Sequence, residues 1–531
     1  MSKHNLPSSL GILVNKQILN PDALTLAKIG KFFRQASLGA LGITTATTIM
    51  MLTWSETYRD RFTLVCAGIF RSTVTLATWY RNIGYTSEEY KLARKVVHLR
   101  VAKRLLRLCR LHTGIYVKGA QHLASLTFII PREYTETLSV LQDQAPFRGM
   151  GDVSKVFVEE FDGLRPKDLY AEFDEVPIAA ASLAQVHRAK TKDGQDVAVK
   201  VQYPDVSRLF NVDIWTMQSI SNLISYFFPE FELTWIITEF RNNLISEFDF
   251  LKEARNGELT KQRFRHRSDE LTVPDIVWEL TRKRVLTMEY IEGVKVNNRE
   301  GLKSLGVNPK WVRDLLLEVF AEMIFCHGVV HCDPHPGNAL VAISPKTKKA
   351  QLVLLDHGLY RELSDDFRRT YCDLWKALIL NDTTLLEKTA HQMGTPKYIK
   401  FLPLIFTQRI PDSSTPLGED MSPEEKALVH EQLKKITLND FFDFLESLPR
   451  DMLLVLRTIN LVRGIHRELG GNSMESFKTN ARFAVRGVWC ETREEEKQRI
   501  EKAKNRFREK NAGNVNRLKE TDEMLIGPLQ K

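Results

Sequence analysis

The sequence that decides the fold is His331-Cys332-Asp333-Pro334-His335-Pro336-Gly337-Asn338, followed eighteen residues after the asparagine by Asp356-His357-Gly358. Phosphoryl transfer needs a carboxylate that orients the attacking group and oxygen ligands that hold Mg²⁺ on the phosphates. Asp333, Asn338 and Asp356 are residues of these types. The apolar run 352–355 predicts a buried strand that ends directly before Asp356. The pattern therefore predicts a site for a magnesium nucleotide.

The spacing of these residues follows the H-R-D-x-x-x-x-N and D-F-G motifs of protein kinases, and the next expected motif lies upstream. The alternation in 196–201 predicts a strand, which pairs with 186–191 through a Lys192-Asp193-Gly194 turn. Lys200 on this strand has the position of the V-A-I-K lysine. That lysine neutralises phosphate charge and needs a carboxylate from a neighbouring helix.

Three acidic residues follow at suitable positions, namely Glu247, Asp249 and Glu253. Asp249 and Glu253 are four positions apart and share one helix face, whereas Glu247 points elsewhere. We favour Glu253 as the ion-pair partner of Lys200.

A fourth kinase-like feature is the run Val285-Leu-Thr-Met-Glu-Tyr-Ile-Glu-Gly293, which is typical of a strand leading into an adenine-contacting hinge. We expect Met288, Glu289 and Ile291 to contact the nucleotide. Each motif taken alone is ordinary, because a lysine ending an apolar strand is usually solvated and Asp-His-Gly is commonly a turn. A zinc site at His331 and His335 is disfavoured, because two prolines oppose a helix there. The order and spacing of the four motifs support the kinase-like interpretation.

The chain also departs from protein kinases in two places. It has no glycine between Leu164 and Asp193, so it lacks the glycine-rich phosphate loop. An alanine-rich segment stands there instead, and its candidate nucleotide-covering residues are Ala179, Ala180, Ala181 and Ser182. Alanine does not readily adopt positive φ, so we expect a stiffer loop, although a helix start is the alternative. No A-P-E-like segment follows Asp356, which leaves little room for a peptide-docking activation loop.

Together with Tyr116-Val-Lys118-Gly119-Ala120-Gln121, these motifs resemble the UbiB/AarF (ADCK) family of atypical kinases over about residues 88 to 470. The resemblance implies an α+β fold of the atypical protein-kinase-like, two-lobe type. Its expected parts are a K-x-G-Q helical extension over the cleft (86–150), a β-rich N-lobe (151–293) and a helical C-lobe (294–480). Ala120 stands where the family has glycine.

The resemblance also implies residue roles for ATP or ADP with Mg²⁺. Asn338 and Asp356 would bind the metal, Lys200 and Glu253 would secure the phosphates, and Asp333 would orient or deprotonate the acceptor. Lys118 and Gln121 would close the cleft, with Lys118 paired to the carboxylates of the E-x-D pair, Glu247 and Asp249.

The N-terminal region predicts targeting to mitochondria. Residues 1–34 carry five basic side chains against the single acid Asp22, the balance of a mitochondrial presequence. Residues 35–55 contain no charge and are long enough to cross a bilayer, although a buried helix or helix pair is the alternative. If this segment inserts in the inner membrane, its basic flank favours a kinase domain that faces the intermembrane space.

The net charge of +9 and the six cysteines limit the other classes of protein. No C-x-x-C pair occurs, so neither a disulfide framework nor a zinc ribbon is expected. The segment 91–110 has eight basic residues and no acid, with Leu92, Val96, Leu99 and Leu106 as its predicted apolar face. It is either a helix on anionic lipid headgroups or a domain helix with a solvated basic face. No module for nucleic-acid binding accompanies the net charge. Residues 481–531 are predicted to form a charged tail.

The leading hypothesis is a mitochondrial phosphotransferase or ATPase. The resemblance links it to lipid, quinone or membrane homeostasis, with membrane lipids and membrane proteins as partners. The alternatives are a nucleotide-gated, non-catalytic scaffold at the membrane and a Ser/Thr protein kinase.

Overall fold

The computed structural model describes residues 87–125, 132–143, 147–227, 234–407, 448–490 and residue 495. The described chain forms two compact units. The first contains residues 87–250 and 277–290, and the second contains residues 251–276 and 291–490 apart from the gap. The segments 1–34 and 35–55, with their predicted presequence and membrane span, lie outside the described residues, as does most of the tail.

The α-helices of the described chain are α1 (Ser87–His112), α2 (Gly114–Ser125), α3 (Arg132–Leu138), α4 (Val140–Asp143), α5 (Met150–Glu160), α6 (Pro166–Leu169), α7 (Val206–Phe227), α8 (Thr234–Glu247), α9 (Phe250–Arg263), α10 (Arg299–Ser304), α11 (Pro309–Glu322), α12 (Asp365–Leu380), α13 (Thr383–Gln392), α14 (Leu402–Thr407), α15 (Arg450–Glu468) and α16 (Ser473–Gly487). Short 3₁₀ turns lie at Arg265–Arg267, Trp278–Leu280, Pro336–Asn338 and Pro396–Phe401, and a π-helical turn lies at Met323–His327. The strands are β1 (Tyr170–Phe173), β2 (Ala179–Ala180), β3 (Ala184–Thr191), β4 (Asp196–Gln202), β5 (Leu271–Thr272), β6 (Val285–Glu289), β7 (Val294–Lys295), β8 (Val329–His331), β9 (Ala339–Ile343), β10 (Ala350–Leu354) and β11 (Tyr360–Glu362). No helix among these residues is long and apolar enough to cross a membrane.

The first unit is built on an antiparallel sheet of order β1-β3-β4-β6, with β2 paired to β3. Alternate valines of β4 point into a core that includes Val156 and Phe157 of α5. The predicted hairpin between β3 and β4 is confirmed. Its turn contains Gly194 at a φ of 85°. Glycine adopts this conformation at little energetic cost because it has no Cβ.

Helix α1 belongs to the same unit, and only part of its predicted apolar face is buried. Val96 is 52% exposed and Leu99 is also exposed, whereas Leu106 packs against the core. The buried stripe includes Val97, Val101 and Ala102, and α1 packs against both α2 and α3. Periodicity alone did not distinguish two adjacent stripes of similar apolar content.

The second unit combines a mixed sheet with a helical core. The sheet has the order β5-β10-β9-β7, with β5 and β10 parallel, and β8 pairs with β11 in a separate two-stranded sheet. Tyr371 and Trp375 of α12 are fully buried beside Phe325. Buried Arg368 donates to the carbonyl oxygens of Phe325 (2.9 Å) and Gly487 (2.7 Å), which joins the π-helical turn to the end of α16.

The units divide the sequence at different points from the expected lobes. The extension that carries α2 falls within the first unit, and Leu251–Ile276 falls within the second although the sequence assigned 151–293 to one lobe. The third crossing lies between Tyr290 and Ile291, one residue beyond the end of β6. The predicted hinge residues Met288 and Glu289 therefore belong to the first unit, and Ile291 belongs to the second.

Candidate nucleotide and metal site

The H-C-D-P-H-P-G-N motif follows the buried strand β8 and ends in a 3₁₀ turn. His331 is buried, and its Nδ1 accepts from the backbone N–H of Asp333 at 3.2 Å. The other ring nitrogen, Nε2, lies 3.3 Å from the carbonyl oxygen of Leu355, so it carries the proton and donates. The amide nitrogen of Asn338 donates to the carbonyl oxygen of Asp333 at 3.1 Å. These bonds fix the loop that presents Asp333 and orient Asn338 with its side-chain oxygen as the available metal ligand.

Asp356 follows β10, which is buried as predicted. Its φ of 54° is left-handed, a conformation that costs a non-glycine residue energy and that is concentrated at functional sites. The backbone N–H of Gly358 lies 3.4 Å from its Oδ1. The backbone N–H of Leu355 donates to the carbonyl oxygen of Asn338 at 2.8 Å. The structure therefore brings the backbones of the two predicted magnesium ligands, Asn338 and Asp356, side by side.

Helix α9, which carries Glu253, packs on the Asp-His-Gly motif within the second unit. Its residue Asn256 donates to the carbonyl oxygen of His357 at 3.0 Å. A Cβ added to Gly257 would lie 3.3 Å from the ring of His357, closer than an ordinary contact, so this glycine permits the close approach. The helix of the predicted ion-pair partner is thus attached to the residue that follows Asp356.

A buried hydrogen-bonded chain completes this attachment. Thr260 of α9 donates to the hydroxyl of Tyr360 at 2.8 Å, and that hydroxyl lies 2.8 Å from His357 Nδ1. His357 Nε2 lies 3.2 Å from the carbonyl oxygen of Leu354, so Nε2 carries the ring proton and Nδ1 accepts from Tyr360. Burial raises the pKa of Tyr360, which remains protonated at neutral pH. No sequence motif predicted this hydrogen-bonded chain.

Arg457 is a second residue that sequence reasoning missed. Its guanidinium nitrogen lies 3.5 Å from Oδ1 of Asp333. Arg457 is on α15, more than a hundred residues after Asp333, so no local motif connects the two. The guanidinium therefore lies beside the carboxylate that is predicted to orient or deprotonate the acceptor.

Lys200 lies in the first unit, on β4, opposite Leu286 of β6 and Val186 of β3. The side chain is buried, and its ammonium nitrogen lies 5.2 Å from the centre of the Phe250 ring. Glu253 is also buried and belongs to the second unit. The ion pair between Lys200 and Glu253 stays a prediction.

Of the predicted adenine-contacting residues, Met288 and Glu289 lie on β6 and Ile291 lies beyond its end. Met288 and Glu289 are half-buried and pair with Ala198 and Val197 of β4. The backbone N–H of Tyr290 donates to the carbonyl oxygen of Asp196 at 3.2 Å, and the strand pairing ends there. The predicted strand leading to a hinge is present, and the nucleotide contacts stay predictions.

The alanine-rich segment is a tight hairpin rather than a helix start. Ala179 and Ala180 pair with β3, and the backbone N–H of Ala181 donates to the carbonyl oxygen of Ala184 at 2.8 Å. The Tyr203 hydroxyl donates to the carbonyl oxygen of Ala181 at 3.3 Å, and Ser182 is buried. The expected stiffness has a physical basis, because hydrogen bonds hold this backbone on two sides.

In the helical extension, Lys118 forms the ion pair that the resemblance implies. Its Nζ lies 2.8 Å from Oε2 of Glu247 at the end of α8, and the two side chains are 21% and 13% exposed. Gln121 donates its side-chain amide to the carbonyl oxygen of Leu141 at 2.8 Å, so it binds the extension's own backbone. Ala120, in place of the family glycine, is buried. Lys118 and Glu247 both belong to the first unit.

An H-x-D loop joined through its asparagine to a strand-borne Asp-His-Gly defines a kinase-like protein of an unusual type. Residues 140–390 match the ABC1 atypical kinase-like domain. AarF domain-containing protein kinase 1 of Mus musculus is 40% identical over 445 residues, which cover 82% of this chain and 84% of the mouse protein. The probable serine/threonine-protein kinase abkD of Dictyostelium discoideum is 41% identical over 417 residues, covering 77% of this chain. Those residues span 59% of the Dictyostelium protein.

Among solved structures, the complex of Rv3197 with erythromycin from Mycobacterium tuberculosis aligns with a TM-score of 0.45. Its sequence identity is 20%, and the alignment covers 74% of this chain and 97% of that chain. The sequence relatives show the family: the chain belongs to the ABC1/AarF family of atypical kinase-like proteins. Its fold is accordingly α+β and kinase-like.

Proposed function

We propose that the protein is a mitochondrial phosphotransferase or ATPase that binds ATP or ADP with Mg²⁺. The observation that carries this proposal is the hydrogen bond between Leu355 and the carbonyl oxygen of Asn338, which places Asn338 beside Asp356. Asparagine and aspartate oxygens are ligands that Mg²⁺ accepts, and it normally completes its shell with phosphate and water. The nucleotide phosphates supply the remaining charge.

The other residues have roles that follow from their chemistry. Lys200, buried on β4, neutralises phosphate charge, and Glu253 holds its ammonium. Asp333 orients or deprotonates the attacking group. The hairpin Ala179 to Ser182 covers the phosphates.

The acceptor is more plausibly a small molecule, a lipid or water than a protein. Only six residues separate Gly358 from the start of α12 at Asp365, and Tyr360–Glu362 of these form β11. A peptide-docking activation loop has no room in this segment. The second feature is the Lys118–Glu247 ion pair, which fixes α2 of the extension to the end of α8. Both features favour the lipid, quinone or membrane role that the resemblance suggests over Ser/Thr protein phosphorylation.

Mitochondrial location and membrane lipids as partners are part of the proposal. They are supported by the basic composition of residues 1–34 and by the uncharged segment 35–55. The basic side chains of α1, which include Arg100, Lys103 and Arg107, are exposed and suit a nearby anionic surface.

A nucleotide-gated scaffold is the second candidate, and the position of Arg457 favours it. A guanidinium 3.5 Å from Asp333 can satisfy the carboxylate that would otherwise act on an acceptor. In that case the protein binds nucleotide, and this binding changes its affinity for its partners. It then hydrolyses or transfers phosphate slowly or not at all.

The test is phosphate release by the full chain, with and without liposomes that contain cardiolipin, for wild type, Asp333→Asn and Arg457→Gln. The proposal predicts turnover that liposomes stimulate and that Asp333→Asn reduces by a factor of about 100 or more, in line with the loss of a general base. Nucleotide binding should survive in Asp333→Asn, because this residue is not a metal ligand. Binding without turnover in wild type would leave the scaffold as the better description.

A further inference from the structure

Three helices of the second unit bring a histidine and two carboxylates together at a place that the proposed nucleotide site does not use. Asp314 lies on α11, His466 on α15 and Glu475 on α16. His466 Nε2 lies 3.6 Å from Oε2 of Glu475 and 4.0 Å from Oδ1 of Asp314. The candidate ligand atoms of the three residues all lie within 4.8 Å of one another.

His466 is the unusual member of this cluster. Its side chain is 1% exposed, and Nε2 has no hydrogen-bond partner within the part of the chain that the structure describes. Burial lowers the pKa of His466, and the nearby charge of Arg313 lowers it further, so the ring is neutral at neutral pH. A buried ring nitrogen that faces two carboxylate oxygens at distances too long for hydrogen bonds is unsatisfied.

Packing holds the ring in this position. A Cβ added to Gly471 would lie 2.0 Å from Cε1 of His466, so the ring lies directly on the glycine backbone. Gly471 also donates its N–H to the carbonyl oxygen of His466 at 2.8 Å. Gly471 therefore fixes the direction in which Nε2 points. Any larger residue at this position would move the ring.

We propose that Asp314, His466 and Glu475 bind a divalent metal ion of the Zn²⁺ type. Imidazole nitrogen and carboxylate oxygen are both Zn²⁺ ligands, with bonds of about 2.0–2.2 Å, and a site with three protein ligands takes a water in the fourth position. Tetrahedral bonds of that length place ligands about 3.5 Å apart. The His466–Glu475 distance is already close to this value, and Asp314 must move inward. Its side chain is 44% exposed and is free of the packing that fixes His466.

The surroundings of the two carboxylates fit a bound cation. Arg313 lies 2.6 Å from Oε1 of Glu475 and 3.2 Å from Oδ1 of Asp314. The backbone N–H of Asn472 donates to Oε2 of Glu475 at 3.2 Å. Hydrogen bonds of this kind orient metal-binding carboxylates. Arg467 is a second cation close enough to act on His466, so the charges of the two carboxylates are offset by two guanidinium groups before an ion binds.

Arg313 and Arg467 limit the affinity, because both cations repel a metal ion at short range. We therefore expect binding in the micromolar range rather than the tight binding of a closed zinc site. The ion would join α11, α15 and α16, so its effect is on the stability of the second unit. None of its ligands is a residue of the proposed nucleotide site.

The test uses the full chain after chelator dialysis, with Zn²⁺ as the probe and excess Mg²⁺ present. Zinc binding is measured by competition with a chromophoric chelator, and thermal unfolding is followed in parallel. We expect His466→Gln to lose one equivalent of bound Zn²⁺ and the associated rise in Tm. Asp314→Asn, which keeps the buried histidine intact, should weaken that equivalent by about tenfold or more.

The matched control is His391→Gln, because His391 is an exposed histidine on α13 in the same unit. It should leave the number of zinc equivalents and the Tm rise unchanged. The same zinc stoichiometry and affinity in wild type, His466→Gln and Asp314→Asn would overturn the proposal. An equal loss in His391→Gln would overturn it as well, since the binding would then be adventitious surface binding.

Discussion

Replacement of the buried carboxylate Glu322 should destabilise the second unit in a way that depends on pH. Glu322 ends α11, and its side chain is 2% exposed. Oε2 accepts from Nε of Arg267 at 2.9 Å, and Oε1 lies 2.8 Å from Nε2 of His266. His327, at the end of the π-helical turn, lies 3.6 Å from Oε1. Arg267 belongs to the short turn after α9, so this carboxylate connects two segments that lead to the candidate site.

The magnitude follows from the ionisation of Glu322. Burial by itself raises the pKa of Glu322, but the charges of His327, Arg267 and His266 outweigh it, and the pKa lies at about 2. This pKa lies well below the ordinary value of 4.5, so folding stabilises the ionised form of Glu322. At 1.36 kcal/mol for each pH unit, this favours folding by about 3 kcal/mol, and we expect about 2 kcal/mol since His266 is half exposed and its charge is screened.

The sign of the pH dependence follows from the lowered pKa. The stabilisation is fully present above about pH 4.5 and is lost as pH falls from there toward 2. Glu322→Gln removes the ionisable group and keeps the shape of the side chain. The variant should be less stable than wild type by about 2 kcal/mol at pH 7, and this difference should shrink as the pH falls below 4.5.

The assay is urea denaturation of the full chain, followed by tryptophan fluorescence, at pH 7.0, 5.0, 4.0 and 3.5. The matched control is Glu318→Gln, one turn earlier on α11, which also contacts Arg267 (3.0 Å) but is more exposed. The control should cost less than about 1 kcal/mol at pH 7. A difference between wild type and Glu322→Gln that is small at pH 7, or that stays constant down to pH 3.5, would refute the reasoning.

Three further predictions test separate contacts. Tyr360→Phe leaves the acceptor nitrogen of buried His357 without its donor, and the free energy of unfolding should fall by about 1–2 kcal/mol in urea titration; an unchanged value would contradict the assigned hydrogen bond. For Lys118→Met and Glu247→Gln, a double-mutant cycle should give a coupling energy of about 1 kcal/mol, and additive effects would mean that the 2.8 Å ion pair does not stabilise the extension. Gly487→Ala puts a Cβ 2.4 Å from a backbone oxygen of the π-helical turn and should cost about 3 kcal/mol or prevent folding, whereas Gly464→Ala on α15, with open space around it, should be neutral or slightly stabilising in the same thermal scan.

Part of this architecture was readable in the sequence because the relevant signals are local. The turn at Gly194 and the alternation of β4 predicted a hairpin, which depends only on neighbouring residues. The apolar run before Asp356 predicted a buried strand for the same reason. The spacing of Asp333 and Asn338 placed both in one loop, and the hydrogen bond between them is present.

The contacts that sequence reasoning missed are long-range. Arg457 reaches Asp333 from a distant helix whose pattern is that of an ordinary amphipathic helix. Tyr360 acquires its role only because α9 packs on the Asp-His-Gly motif. The exposed side of α1 could not be assigned, because tertiary packing chose between two apolar stripes that the sequence supports about equally.

The central claim is that Asn338 and Asp356 hold Mg²⁺ for a bound nucleotide. The most direct measurement is the affinity of the full chain for ATP and ADP, with and without Mg²⁺, by titration calorimetry for wild type and Asp356→Asn. Asp366→Asn, an exposed acid in the first turn of α12, is the matched control. We predict that Mg²⁺ strengthens binding to wild type and to the control by about tenfold or more, a gain above about 1.4 kcal/mol, and that Asp356→Asn loses this gain. An Asp356→Asn variant with the same Mg²⁺ dependence as wild type would contradict the account.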